Sequence, residues 1–209
     1  MKRLKYIIFA TLVLVSFTSC KHSDNNDDTS GGSTTTTYTK VDKPTNLTTL
    51  SDLNNVILYS LDNTYLVTVN TSVSDSNVVV YQYSKTVTID DTNTKKGNSI
   101  TTKKQLDDTF TLVTKDTKVE QFDTLDINKL FTCTLNESYL SNVSVTQSKV
   151  TYSVKKDSST NYFNDTNAVS DTDVSVTILV NDYKVTSIAY SYSVDSKSIS
   201  STTTYSYLA

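Results

Sequence analysis

Residues 41–209 read as a single α+β domain, one helix followed by a long, mostly antiparallel run of strands. Two observations predict it. The apolar period changes from helical spacing to alternation at Tyr65, and alternation then dominates to the end of the chain. The composition suits a pleated, half-buried surface: the strand-favouring Val, Thr and Tyr, with some Ile, are plentiful, whereas the chain has Gly 3, Pro 1 and Trp 0.

Leu50, Leu53, Ile57 and Leu61 recur at spacings of three, four and four, one apolar stripe that predicts a helix over 50–61. Thr49 stands at its N-cap, and Asp52 lies in the first turn, facing the positive end of the helix dipole. Tyr65, Val67 and Val69 begin the alternation. After a turn at 74–77, Val79, Tyr81, Tyr83, Val87 and Ile89 line one face of a long strand. Residues 90–99 read as a loop, Lys103–Leu106 as the end of a poorer strand, and Phe110, Leu112 and Val119 as marks of further strands. Residues 123–131, with Leu125, Ile127, Leu130 and Phe131, read as a loop or short helical turn. The second half repeats the pattern. Val143 and Val145 lead into Val150, Tyr152 and Val154, and 157–168 interrupt with helical character. Val174, Val176, Ile178 and Val180 run to the hairpin signal Asn181-Asp182. Thr186, Ile188, Tyr190, Tyr192 and Val194 follow, then a turn at 195–197, then Ile199, Thr203, Tyr205 and Tyr207. A single layer of about eight strands needs its apolar face covered, and the helix has the stripe to cover it. The alternative arrangement is a β-sandwich with a leading helix.

The chain opens with Lys2, Arg3 and Lys5 ahead of the apolar run Tyr6–Val15, the charged and hydrophobic regions of a signal peptide. The run is too short to span a membrane, which takes about 20 apolar residues. Phe17-Thr18-Ser19-Cys20 resembles the lipobox of bacterial lipoproteins, in which a small residue precedes the lipidated cysteine; Phe17 stands where that motif prefers Leu. The resemblance implies that residues 1–19 are removed, and that Cys20 becomes the first mature residue and carries acyl chains. The protein would then be exported and anchored to a bacterial cell membrane or outer membrane, its domain outside the cytoplasm. Each buried CH₂ adds roughly 0.8 kcal/mol, and two chains anchor stably where one does not. Residues 20–40, rich in Ser, Thr and Asp, lack the apolar content to order themselves and read as a disordered tether. Their acidic start resembles the stretch that follows the anchor cysteine in surface-exported lipoproteins.

Loss of Lys2, Arg3 and Lys5 takes the net charge from −3 to −6, and Arg3 is the chain's single arginine. An acidic, arginine-free domain is a poor match for nucleic acid. Lys95-Lys96 and Lys103-Lys104 read as a solvated hairpin face. Cys133, in an apolar context, reads as a small buried hydrophobe without a disulfide partner. His22, the one histidine, lies in the tether, which rules out a Cys-His or Ser-His pair within the domain. Asp90-Asp91, Asp107-Asp108, Asp123 with Asp126, and Asp171 with Asp173 read as turn chemistry rather than as an acid/base or calcium site. The domain's single glycine, Gly97, cannot make a phosphate-cradling loop. No enzyme activity, metal or cofactor is expected.

The order of elements resembles that of the lipoprotein-carrier, LolA-like family. That resemblance implies a curved half-barrel sheet wrapped around its helix, with a gap that holds acyl chains or other apolar ligands. Tyr81, Tyr83, Tyr152, Tyr190, Tyr192 and Tyr205 fall on the strands and are the candidate ligand-binding residues. Such tyrosines either pack the core with their hydroxyls at its rim or line a cavity for an amphipathic ligand. The expected function is a monomeric, membrane-anchored, non-enzymatic lipoprotein that binds a lipid or other apolar ligand. The alternative is a structural or adhesive surface module with a filled core, contacting proteins or glycans.

Overall fold

The computed structural model describes residues 41–91, 93–126, 130–131, 133–166 and 168–207. The leader, Cys20, the tether and Ile127 lie outside the described residues. Helix α1 (Leu50–Asn63) forms where the stripe predicts it. The Thr49 hydroxyl accepts from Asp52 N–H at 3.1 Å, and the Asp52 carboxylate accepts from Thr49 N–H at 2.9 Å, a reciprocal capping box. Thr64 is already extended, so α1 passes into the first strand without a loop. Leu53, Val56, Ile57 and Leu61 are buried under the sheet, each stabilising the fold by about 1.5–3 kcal/mol. Ser60 also fastens the helix to the sheet. Its hydroxyl donates to Val56 O within the helix at 2.5 Å and accepts from Val185 N–H at 2.8 Å.

The strands are β1 (Thr64–Asp75), β2 (Val78–Asp91), β3 (Lys96–Leu106), β4 (Leu112–Phe122), β5 (Leu140–Val145), β6 (Lys149–Val154), β7 (Val174–Asn181), β8 (Lys184–Val194) and β9 (Lys197–Tyr207). They form one open, antiparallel sheet in the order β4-β3-β2-β1-β9-β8-β7-β6-β5. The sandwich alternative falls here: β1 pairs with β9 from Thr64 to Ser74, which joins the two meanders into one layer. Three hairpins turn through consecutive positive-φ residues, Ser76-Asn77, Asp182-Tyr183 and Asp195-Ser196, the twist-compatible geometry for a two-residue connection.

Two sequence expectations are corrected. Residues 96–99 are strand, not loop: Gly97 pairs with Ile89 on one side and Phe122 on the other, and this double pairing outweighs its poor strand propensity. Gly97 is required there, because a Cβ would collide with the Thr88 carbonyl oxygen. Phe110 is not on a strand. It sits in the β3–β4 turn with φ 60°, 81 % exposed, while Asp107 caps the turn by accepting from Thr109 and Thr111 N–H, each at 2.9 Å.

β4 and β5 lie at opposite edges, so the link 123–139 must cross the sheet. Eight strand intervals span roughly 38 Å when flat. A link of about 17 residues reaches up to roughly 60 Å, enough for the crossing. Its described residues run over the buried face: Leu125 N–H donates to Lys95 O at 2.9 Å, Tyr205 Oη to Leu130 O at 3.0 Å, and Thr134 N–H to Tyr162 O at 2.8 Å. The insert between β6 and β7 has the helical character expected, a 3₁₀ turn (Lys156–Ser158) leading into a short helix α2 (Ser159–Tyr162).

Candidate functional site

Strand pairing brings the six candidate tyrosines to one face of the sheet. Tyr83, Thr71, Ser201, Tyr190, Val176 and Tyr152 are successive partners across β2, β1, β9, β8, β7 and β6. Two residues along, Tyr81, Val73, Ile199 and Tyr192 form a parallel row. Tyr205 pairs with Val67 and belongs to the same face. Five of the six are buried and Tyr190 is half-buried.

The insert fills the space above these rings. Tyr162 Oη lies 2.7 Å from Tyr152 Oη, with the rings edge to face. Phe163 stands edge-on to Tyr162 at 4.9 Å and packs against Tyr190 at 5.2 Å and Tyr192 at 6.1 Å. The Tyr205 hydroxyl is bound to the crossing link, and Thr71 and Ser201 share a buried hydrogen bond of 2.8 Å. Sequence reasoning marked the strand tyrosines but missed Tyr162 and Phe163, whose short helix shows no apolar period.

Burial sets the chemistry. It pushes the phenols of Tyr152, Tyr162, Tyr190, Tyr192 and Tyr205 well above their ordinary range, a hydrogen bond with Ser201 offsetting part of the effect at Tyr190. Cys133 retains some exposed area, yet its thiol sits in the tyrosine cluster with a hydrogen bond to Tyr162, and burial pushes it up to about 12. At neutral pH it is a thiol rather than the thiolate a nucleophile needs. The cluster is neutral, hydrogen-bonded and close-packed.

The carboxylate pairs serve turns and joints. Asp91 accepts from Asn93 N–H at 2.9 Å, Asp171 from Asp195 N–H at 2.6 Å, and Asp173 from Lys156 N–H at 3.0 Å. Among the described residues no group of three or more His, Cys, Asp or Glu is placed to hold a metal ion, and no helix is long and apolar enough to cross a membrane. Of the lysine pairs, Lys96 and Lys104 are exposed and Lys103 is half-buried, whereas Lys95 departs from the solvated face expected. Lys95 is 5 % exposed; its ammonium donates to Asp62 O at the end of α1 at 2.8 Å and lies 3.6 Å from the Asp62 carboxylate. Asp62 also accepts from Val41 N–H at 3.1 Å, so this joint ties the start of the domain to the β2–β3 turn.

A pocket of about 320 Å³ opens on the opposite, helix-free face, between β1, β2 and β3. Asn70, Ser84 and Thr102 are cross-strand partners on one side of it, and Ser72, Gln82 and Lys104 on the other. It is polar, unlike the apolar cavity the sequence suggested. No family model and no curated protein matches this sequence, which leaves the geometry as the ground for a functional reading.

Proposed function

We propose that this chain is a bacterial cell-envelope lipoprotein, anchored through acyl chains on Cys20 and joined by the 20–40 tether to a non-enzymatic surface module. In this reading the interior holds the sheet together, and the polar outer surface meets proteins or glycans. The observation that carries it is the filling of the tyrosine face by Tyr162, Phe163 and the crossing link. The lipid-binding half-barrel is the second reading, and a specific observation favours it. An open sheet of nine strands accumulates twist and curls about whatever covers one face. Here the cover includes the crossing link, whose Leu125, Leu130, Phe131 and Cys133 are only partly buried against the core and whose backbone is tied to Tyr205 and to the insert at Tyr162, so a displaced link would uncover aromatic surface.

Native mass spectrometry of the full chain, extracted from a bacterial envelope in mild detergent, separates the two. A mass equal to chain plus covalent anchor, with no uptake from an offered lipid panel, supports the surface module. A discrete further adduct, lost on organic extraction, would replace it with the carrier reading. Cys20→Ala should move the protein to the soluble exported fraction; persistent membrane attachment would remove the lipoprotein assignment.

A further inference from the structure

We propose that the pocket between β1, β2 and β3 on the helix-free face binds an acidic sugar, a pyranose carrying a carboxylate such as a uronic acid unit of a glycan. The proposal deepens the surface-module reading and rests on it, because it needs this face turned outward.

The lining forms a small grid. Adjacent strands stand about 4.8 Å apart and same-face neighbours along a strand about 6.8 Å apart. Asn70, Ser84 and Thr102 occupy one row, and Ser72, Gln82 and Lys104 the next. The two serines are the smallest members and lie on a diagonal, which opens the floor, while the longer side chains make the walls. The described residues provide no hydrogen-bond partner for these six side chains, so their polar groups face solvent ready for a ligand. Each amide offers both a donor and an acceptor, and each hydroxyl can do either. Vicinal sugar hydroxyls have the same dual character at similar spacing. An acyl chain would leave all of these groups unpaired, at a cost in desolvation.

Charge narrows the class. The pocket contains no carboxylate and one cation, Lys104. The neighbouring lysines are committed elsewhere: Lys103 to Asp116 at 3.8 Å, Lys118 to Glu120 at 2.6 Å, and Lys96 to Asp123 at 3.6 Å. A lone ammonium in a pocket of amides and hydroxyls, on a domain of net negative charge, attracts a single anionic group. Phosphate sites usually gather arginines or a nest of backbone N–H groups, and neither is here. One carboxylate on a polyhydroxylated ring answers the whole lining. The volume lies at the low end of small-molecule pockets, suited to a sugar unit or two. Ser200 and Thr202 of β9 continue the two rows beyond β1, giving a longer glycan a hydroxyl track to follow.

Isothermal titration of the full chain in detergent tests this, with tetragalacturonate, its neutral galactose tetramer and inorganic phosphate as probes. The acidic tetramer should bind saturably, at least about tenfold more tightly than the neutral one, and more weakly as salt rises. Lys104→Gln should remove about tenfold of that affinity, and Ser84→Tyr, which fills the floor, should abolish binding; both sites face solvent, so an unchanged thermal midpoint shows the fold intact. Uronate binding that survives both variants overturns the pocket while leaving the surface module standing. Equal affinity for the neutral tetramer overturns the acidic class, and full competition by phosphate overturns the sugar class. No saturable binding by either tetramer overturns the proposal, and the surface module falls with it only if the same preparation carries a lipid adduct.

Discussion

β7 and β4 belong to one sheet and have little else in common. In β7 every second residue is buried, Val174, Val176, Ile178 and Val180, and the residues between them, Ser175, Thr177 and Leu179, are exposed or half-buried. In β4 most of the strand is exposed on both faces, including Val119 at 63 %. The difference lies in what covers each. α1, α2 and the later part of the crossing link, from Leu130 on, lie over the half of the sheet that contains β7, and that half is held by burial. The β3–β4 wing is held by pairing to its neighbour and by surface ion pairs, which contribute little each. The joint between the halves is Lys95, the buried cation that reaches Asp62 from the β2–β3 turn.

The sharpest way to break this comparison is the same substitution in both halves. Ile178→Asp puts a charge at a position of 0 % exposure with no cation opposite it, and should abolish cooperative folding. Val119→Asp should change stability by less than about 0.5 kcal/mol. Urea denaturation followed by circular dichroism reads both, and similar losses would mean that the wing is as much a core element as β7.

The same contrast explains which parts of the fold were legible. α1 and β7–β9 were, because a one-sided environment imposes a period, and Thr49 and Asp52 supplied a local signal for the helix start. The β3 boundary was hidden, because Lys96-Gly97-Asn98 has no strand propensity and forms only through partners far along the chain. Gly97 did carry a signal, as the one glycine of a domain that otherwise avoids it. Phe110 misled: an aromatic in an alternating region reads as strand, and nothing in the structure explains its choice for an exposed turn. The six tyrosines were legible as facing one way, since alternation fixes the face. That the space above them is filled was not, because it depends on Tyr162 and Phe163 in a helix too short to show a period. The polar pocket was hidden for a related reason, since it needs the lateral register of three strands.

Alkali offers a second, smaller test. Burial raises the folded-state pKa of Cys133 and Tyr207 to about 12, and pushes the phenols of Tyr152, Tyr162, Tyr190, Tyr192 and Tyr205 well above their ordinary range, from ordinary values of 9.0 for Cys and 10.0 for Tyr. The unfolded chain therefore loses these protons first. Their contribution to stability is fully present below about pH 9 and declines as pH rises from there through 12. Tyrosinate absorbance from the core face should rise together with the loss of far-UV circular dichroism. A complete tyrosinate titration below pH 11 with dichroism unchanged would show that the tyrosine face is open to solvent, which is what a vacant half-barrel requires.

The smallest effect belongs to the wing and has the opposite sign. Phe110 holds φ at 60°, a left-handed conformation that costs a non-glycine residue about 1–2 kcal/mol, and its exposed ring recovers little of that by burial. Phe110→Gly removes this strain but adds about 0.5–1 kcal/mol of unfolded-state entropy to be lost on folding. The balance is a gain of about 0.5 kcal/mol, seen as a small rise in the urea midpoint with an unchanged slope. A loss larger than about 1 kcal/mol would mean that the ring packs against something in solution, and the wing would then no longer be the uncovered half of the sheet.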